Sequence, residues 1–265
     1  MKFLFLLFFI SSLLFSNVYY SKVEPYEIRD ISSSVAGLIE FTDEDMIGKK
    51  LSSSAYIQID SELDKQELKY LQEKLKHLDS IVLSSEVILK NSEKSLQMKK
   101  ENYKSIASLK IKSDIEKDRE FYDLLLSENQ YLNTKKEIRN LKIQILDLKL
   151  KIAYLKRAIS DKNLKAKGFV LYSILVKKGQ VVGISTPLAR IADVSSAKLT
   201  IYLDKDDVLS YKSKSIYIDG MKTNYKIDRI LHIADSKNIS KYMAQIVIES
   251  PKIFSKLVKV EFKNE

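Results

Sequence analysis

The spacing of apolar residues changes twice along this chain and divides it into three regions. Between residues 35 and 60, short apolar runs alternate with polar and turn-forming residues, which is typical of short strands. From residue 61 to about 160 the apolar spacing is alternately three and four, as in the heptads of coiled-coil helices. Beyond residue 161 the strand-like alternation returns. The pattern predicts strands, then long helices, then strands.

The first predicted helix runs from Ser61 to about Ala107. Ser61 and Asp64 have the spacing of a capping box, which marks a helix start. Most heptad positions that follow are apolar, with polar interruptions towards the far end. They are Leu68, Leu71, Leu75, Leu78, Val82, Ser85, Leu89, Ser92, Leu96, Lys99, Tyr103 and Ile106.

The second predicted helix runs from Ser113 to about Ser160, and Ser113 with Glu116 forms a second capping box. Two helices of nearly equal length joined by a tight turn are expected to fold back as an antiparallel hairpin roughly 70 Å long. Glu86 with Lys90 and Asp147 with Lys151 are predicted as i,i+4 pairs on its outer faces. The heptad positions of this helix are Leu124, Tyr131, Ile138, Leu141, Ile145, Leu148, Ile152, Leu155 and Ile159.

A glycine pattern occurs once on each side of this hairpin. Gly37 and Gly48 are eleven positions apart, as are Gly168 and Gly179, and Gly183 follows the second copy. Because the two ends of an antiparallel hairpin lie side by side, we expect residues 28–60 and 161–196 to pair as halves of one small β-domain. Close strand packing is also expected at Gly168, so that Gly168→Val would block it while leaving the hairpin helical.

Residues 197–265 contain five alternating apolar segments separated by turn signals. Asp219-Gly220 within them is typical of a type I′ hairpin turn. This region predicts a small β-barrel or sandwich of five or six strands. The predicted fold class is therefore α+β and elongated: a split β-domain, interrupted by the α-helical coiled-coil hairpin of residues 61–160 and followed by the small β-barrel.

The N-terminus carries a targeting signal. Lys2 precedes an apolar run from Phe3 to Phe15, which is shorter than the roughly 20 residues that span a bilayer. Residues 1–21 are interpreted as a signal peptide or, if uncleaved, as an N-terminal membrane anchor. The formal net charge of +10 is not accompanied by an arginine-rich run or a zinc-finger spacing, so nucleic acid is not an expected partner. A lysine-rich surface, with a preference for anionic lipid headgroups as its one specific use, explains the charge.

The order of these regions resembles a known family. The segments "SSSVAGLIEFTDEDMIGKKLSSSAYIQID" and "AKGFVLYSILVKKGQVVGISTPLARIADVSSAKLTIYLDKDD" resemble the two halves of a lipoyl- or biotinyl-like domain in the periplasmic adaptor proteins, or membrane fusion proteins of the HlyD type. These belong to tripartite efflux and secretion systems. The resemblance implies a periplasmic location at the inner membrane and a homo-oligomeric ring, often of six. The partners implied are an inner-membrane transporter of the ABC or RND type and an outer-membrane channel. A membrane-proximal domain of the family is expected to be reduced or absent.

The family also has a motif at the hairpin tip that contacts the channel. It consists of an arginine, a leucine four residues later and a serine seven residues beyond that. The matching positions here are Asn102, Ile106 and Ser113. The resemblance therefore implies a partner-binding tip at these residues, although Asn102 lacks the forked donor that arginine supplies. A helix N-cap is the structural alternative for Ser113, and a place in the helix seam is the alternative for Ile106.

The sequence contains no enzyme signature and calls for no cofactor or metal. His77 and His232 are isolated, and the run at 204–207, "DKDD", is explained as a solvated turn more simply than as a cation site. One other function class stays open, an exported coiled-coil scaffold that organises an envelope complex without transport. An enzyme acting on an acidic envelope polymer would require carboxylates clustered in a cleft, and the spacing indicates none. A lipoyl-type carrier is disfavoured because the hairpin occupies the turn that would present the modified lysine.

Overall fold

The computed structural model describes residues 17–234, 238 and 240–264. Most of the predicted signal peptide or anchor therefore lies outside the described residues. The chain forms two compact units. The β unit contains Phe41–Ile57, Lys165–Glu265 and the described residues up to Ser33, and the hairpin unit contains Ser34–Glu40 and Gln58–Leu164.

The elements follow one another in the order that the apolar spacing predicts. The helices are α1 Glu62–Ala107, α2 Asp114–Asp161 and α3 Lys205–Ser210, with short 3-10 turns at Glu44–Met46 and Tyr211–Ser213. The strands are β1 Val18–Ser32, β2 Gly37–Thr42, β3 Ile57–Ile59, β4 Asn163–Leu164, β5 Val170–Ile174, β6 Val181–Val182, β7 Pro187–Leu203, β8 Lys214–Ile218, β9 Met221–Lys222, β10 Ile227–Ala234, β11 Tyr242–Glu249 and β12 Leu257–Asn264.

The β unit is built on an antiparallel sheet with the strand order β10-β11-β7-β1-β12-β8-β9, and β5 pairs with β7 beside this path. The 17-residue strand β7 is its longest member and pairs with β1, β5 and β11. Alternate residues of these strands point into one core, which includes the fully buried Leu199, Ile201, Ile246 and Val260. The five C-terminal segments predicted as strands are confirmed.

Two features of the β unit differ from the prediction. The expected barrel is an open sheet, because among the described residues β9 and β10 end the strand order without pairing to each other. The sheet also contains β1 as a central strand, which begins at Val18, before the predicted end of the N-terminal segment at residue 21. Tyr19 and Val23 of β1 are buried in the core, so this stretch is part of the fold.

The Asp219-Gly220 turn is confirmed as the tight hairpin between β8 and β9. Ile218 pairs with Met221, which leaves a two-residue loop. Asp219 and Gly220 have φ values of 49° and 84°, the left-handed conformation that a type I′ turn requires at both positions. The Asp219 carboxylate also accepts a hydrogen bond from the Lys259 backbone N–H at 2.9 Å. The turn is thereby fixed to β12.

The hairpin unit contains the two long helices, of 46 and 48 residues, and the strands β2, β3 and β4 are neighbours at its base. Backbone hydrogen bonds fasten the start and end of the hairpin together, since the Ile59 N–H donates to the Lys162 carbonyl at 2.8 Å. The side chains of Lys162 and Asp64 form an ion pair at the same level. The predicted antiparallel hairpin is confirmed.

The predicted seam of α1 is confirmed residue by residue. From residue 65 to 107, all twelve heptad positions are buried or half-buried, and every other residue is exposed. The nine heptad positions predicted for α2 are likewise buried or half-buried. Val82, Ile138 and Ile145 form the buried centre of the contact between the helices, and Leu75, Leu78, Leu89 and Leu141 pack around it.

Two local predictions in the hairpin are wrong. Glu86 pairs with Lys142 at 2.8 Å and Lys151 pairs with Glu67 at 2.7 Å, so these charges join the two helices and do not pair along one helix. Ser61 occupies the N-cap of α1 without a capping bond from its side chain. Asp60 accepts the hydrogen bond of the Glu62 N–H at 3.0 Å instead, and Asp64 is paired with Lys162. In the described part of the chain, no helix is long and apolar enough to cross a membrane.

Candidate docking site at the hairpin tip

The turn between the long helices is held by a network around Ser113 and Glu116. The Ser113 Oγ accepts a hydrogen bond from the Glu116 N–H at 3.3 Å, and the Ser113 N–H donates to Glu116 Oε2 at 3.0 Å. Lys112 Nζ donates to the other carboxylate oxygen, Oε1, at 2.9 Å. The capping box predicted at Ser113 is therefore confirmed.

The electrostatics of this network favour an ionised Glu116. The Lys112 ammonium, followed by the N–H and hydroxyl of Ser113, lowers the Glu116 pKa to about 2. The negative charge lies in the first turn of α2, where the helix dipole also favours an anion. Glu116 is therefore ionised at neutral pH, and its carboxylate caps the start of α2.

The tip exposes apolar side chains around this rigid cap. Leu109, Ile111 and Ile115 are 44%, 91% and 82% exposed. They lie within seven residues of one another, and none occupies a position of the predicted seam. They belong neither to the heptad seam nor to the tip motif that the family resemblance implies, so neither pattern identifies them. The available signal was three apolar residues in the one stretch where the heptad pattern stops.

The three residues of the predicted tip motif occupy different environments. Ser113 is exposed and its hydroxyl is engaged in the cap. Ile106 is half-buried in the seam, and its carbonyl accepts a hydrogen bond from the Leu109 N–H at 3.1 Å. Asn102 is exposed on α1. Ser113 thus lies at the N-cap and Ile106 in the seam, as the structural alternatives predict. That Asn102, Ile106 and Ser113 bind a partner stays a prediction.

Polar contacts join the helices just below the tip. Lys99 Nζ pairs with Asp123 Oδ2 at 2.8 Å, and this contact raises the pKa of Lys99 and lowers that of Asp123. The rings of Tyr103 and Phe121 lie 5.3 Å apart between their centroids. Ser92, one heptad further from the tip, is buried in the seam. The tip therefore stands on a part of the hairpin that is held largely by polar and aromatic contacts.

Backbone hydrogen bonds within the β unit join the segment around Gly48 to the segment around Gly168. The Gly48 N–H donates to the Leu171 carbonyl at 2.8 Å, and the Gly168 N–H donates to the Leu51 carbonyl at 3.1 Å. Part of the first glycine segment thus lies directly beside the second. That the whole of residues 28–60 and 161–196 form one lipoyl-like domain stays a prediction.

The reason for glycine differs from one copy to the other. A Cβ on Gly37 would lie 2.5 Å from Ile59 Cγ2, so close packing requires glycine there. Gly168 has φ of 95° and open space around its Cα, so its requirement is conformational and the close packing expected there is wrong. Gly48 and Gly179, the second glycines of each copy, also have positive φ, while Gly183 donates its N–H to Thr186 Oγ1 at 3.1 Å.

Two carboxylates of the acidic run at 204–207 are paired with lysines from other parts of the β unit. Lys241 Nζ pairs with Asp204 Oδ1 and Lys214 Nζ pairs with Asp207 Oδ1, both at 2.7 Å. Asp207 is buried, which by itself would raise its pKa, but the hydrogen bonds from Lys214, Tyr19 and Asn17 outweigh burial and lower it. Within the described residues, no three His, Asp or Glu side chains come together as metal ligands would.

Comparison with known proteins gives similarity of structure only. No protein-family model and no curated protein sequence matches the chain. The structure of MacA from Actinobacillus actinomycetemcomitans is similar with a TM-score of 0.70 at 15% identity, over 93% of this chain and 78% of that one. The membrane fusion protein Spr0693 from Streptococcus pneumoniae R6 has a TM-score of 0.54 at 11% identity, over 94% and 100%. A MacA-MexA chimera carrying the Pseudomonas aeruginosa MexA alpha-hairpin domain has a TM-score of 0.50 at 14% identity, over 94% and 82%. The chain therefore has the fold of the membrane fusion proteins, the family that its sequence resembles.

Proposed function

We propose that this chain is the periplasmic adaptor subunit of a tripartite efflux or secretion system. In this role it joins an inner-membrane transporter, of the ABC or RND type, to an outer-membrane channel. It acts by assembling and sealing a conduit and performs no bond chemistry. The observation that carries the proposal is the exposed apolar tip of a long hairpin in a chain with the membrane fusion fold.

The tip has the properties of a docking site for another protein. Ile111 and Ile115 are 91% and 82% exposed, so a partner that covers them would remove apolar surface from water. Lys110 and Lys112 lie between and beside the apolar residues, which provides the polar rim typical of interfaces. A channel protein with an apolar groove is the partner that these features fit.

A second apolar surface supports a homo-oligomeric ring. Ile143, Leu146, Leu150 and Tyr154 of α2 are 57%, 64%, 56% and 69% exposed. Their spacing of three and four places them on one helical face, away from the seam that contacts α1. An apolar stripe of this length on the outer face of a hairpin is expected to pack against a neighbouring subunit. The ring, often of six in the family, would place such stripes between adjacent hairpins.

The first test is in vivo photo-crosslinking from a reactive residue placed at Ile111. The channel protein is expected to be captured there, because Ile111 is 91% exposed at the tip. The same reactive residue at Leu63, which is 78% exposed at the other end of α1, is the matched control and should not capture it. Capture of other envelope scaffold proteins alone would favour the scaffold function and contradict the adaptor role.

A transport assay tests the apolar tip by introducing charged side chains into it. The double variant Ile111→Asp, Ile115→Asp should lower export by at least tenfold, because both carboxylates would have to be desolvated in the interface. Leu63→Asp should leave export within twofold of the parent. Normal export by the double variant would show that the tip does not dock a partner.

A further inference from the structure

An open groove of about 750 Å³ lies in the β unit, formed by residues 211–216 and 222–227. Its walls come from the segment that includes β8 and from the segment that joins β9 to β10. The rings of Tyr211 and Tyr225 are partly buried and pack against the sheet core, so they form a fixed apolar floor with the buried Ile216. The floor of the groove is therefore continuous with the core of the sheet.

Lysines are the charged side chains among the twelve described residues that line the groove. They are Lys212, Lys214, Lys222 and Lys226, and Lys214 is already paired with the buried Asp207. Hydroxyl and amide groups of Ser213, Thr223 and Asn224 lie among them. Lysine ammonium groups with neutral hydrogen-bond donors over an apolar floor match a phosphate ester that carries an apolar body.

The groove is connected to the point at which the N-terminal apolar run enters the fold. Lys214 donates to Asp207 Oδ1 at 2.7 Å, and the Asn17 Nδ2 donates to Asp207 Oδ2 at 3.0 Å. Tyr19 also donates to this carboxylate. Asn17 lies two residues after the apolar run from Phe3 to Phe15, which is interpreted as a signal peptide or membrane anchor. The buried Asp207 carboxylate thus joins Lys214 of the groove to the residue at which the described chain begins.

We propose that this groove binds the phosphate-bearing headgroup of an anionic phospholipid in the leaflet that the N-terminal run enters. The inference rests on the proposed association with the inner membrane and is independent of docking at the hairpin tip. The exposed Lys212 and Lys226 would face the headgroup phosphate, and the tyrosine and isoleucine floor would lie along the glycerol and upper acyl region. The bound lipid would orient the β unit on the membrane.

The test uses the full chain reconstituted in nanodiscs that contain a photoactivatable phosphatidylglycerol or, in a parallel sample, a photoactivatable phosphatidylcholine. Captured peptides are located by mass spectrometry. Peptides covering residues 211–227 are expected to be captured by phosphatidylglycerol at least tenfold more than by phosphatidylcholine. Equal capture of the two lipids, or capture only of other peptides, would overturn the proposal.

Charge variants give the matched comparison. Lys212→Glu with Lys226→Glu should lower capture at the groove at least tenfold, and both residues are exposed. Lys177→Glu with Lys178→Glu makes the same charge change in the exposed turn after β5 and should leave capture unchanged. If the first variant fails to fold, as judged by its thermal transition, Lys212→Gln with Lys226→Gln replaces it and should lower capture in the same direction. An equal loss of lipid capture in the control variant would show that net charge alone causes the effect, and it would overturn a specific site.

Competition with soluble glycerol 3-phosphate distinguishes a phospholipid headgroup from a soluble phosphate ester as the ligand. At the same bulk concentration as the lipid, it should displace less than half of the captured phosphatidylglycerol, because it lacks the acyl chains. Complete displacement would identify a soluble phosphate ester as the ligand and overturn the lipid assignment. Crosslinking from Ile111 to the channel should be unaffected in the groove variants, so failure of this proposal and failure of the adaptor role are distinguishable.

Discussion

The two halves of the hairpin differ in what holds the helices together. In the basal half, residues 62–89 and 138–161, Val82, Ile138 and Ile145 form a buried apolar centre with leucines around it. In the tip half, residues 90–137, the seam contains the buried Ser92, the Lys99–Asp123 pair and the Tyr103–Phe121 contact, with Leu96 as the buried aliphatic residue. Apolar burial stabilises far more than partly exposed ion pairs do. The basal half is therefore expected to supply most of the hairpin's stability.

The largest effect is expected from removing the basal centre. Ile145→Ala deletes a side chain that is 6% exposed, and we expect a loss of about 2–5 kcal/mol in the free energy of unfolding, as for other large-to-small core changes. Ile88→Ala is the matched control, since Ile88 is 52% exposed and should cost less than about 0.5 kcal/mol. Urea denaturation followed by circular dichroism at 222 nm measures both. Equal losses would contradict the assignment of stability to the basal seam.

A smaller effect is expected from making the tip half resemble the basal half. The double variant Lys99→Leu, Asp123→Leu replaces an ion pair whose side chains are 34% and 40% exposed by apolar contact, and it should raise the urea midpoint of unfolding. Amide exchange of residues 92–107 should slow in parallel. Glu86→Leu with Lys142→Leu replaces a more exposed pair and should change stability by less than about 0.5 kcal/mol. Destabilisation by the first variant would show that the ion pair is a net contributor.

The smallest effect concerns pH at the tip. The Glu116 pKa is about 2 in the fold and about 4.3 in an unfolded chain, so its stabilising contribution is complete above about pH 4.3 and disappears as the pH falls through 2. The protection factors for amide exchange of Glu116 and Lys117, corrected for the intrinsic pH dependence of exchange, should therefore fall across this window while the basal half stays protected. Ser113→Ala should move the Glu116 pKa, measured by carboxyl NMR, towards 4.3. An unchanged value would contradict the capping geometry.

The helical seam could be predicted from the sequence because its cause is local. A period of 3.6 residues fixes which side chains share a face, and two long seams can only bury each other. The ion pairs could not be predicted in the same way. Glu86 has a basic residue four positions later on its own helix and another across the seam, and only the packed geometry decides that Lys142 is its partner.

The sheet was predicted less completely. Each C-terminal strand carries its own alternation, but closure into a barrel depends on how the edge strands meet, which no single segment encodes. The start of β1 was missed because residues 1–21 were interpreted as a signal peptide or membrane anchor. The alternation of the buried Tyr19, Ser21 and Val23 with exposed neighbours was the available signal.

The candidate tip illustrates the same limit. The capping box could be predicted because Ser113 and Glu116 are three residues apart and bond to each other. The exposure of Ile111 and Ile115 could not, since an apolar residue near a turn is as often folded under the helices as left outside. Position in the repeated glycine pattern was also insufficient, because Gly37 and Gly168 match in spacing but need glycine for different reasons.

The bonds that join Ile59 and Asp64 to Lys162 have a consequence for how such a chain can change over generations. Because entry and exit of the hairpin are fastened to each other, the base is complete without any contact further along the helices. Deletion or duplication of one heptad in each helix would keep the register of the seam and leave the base unaltered. The length of the hairpin can therefore change by mutation independently of the base.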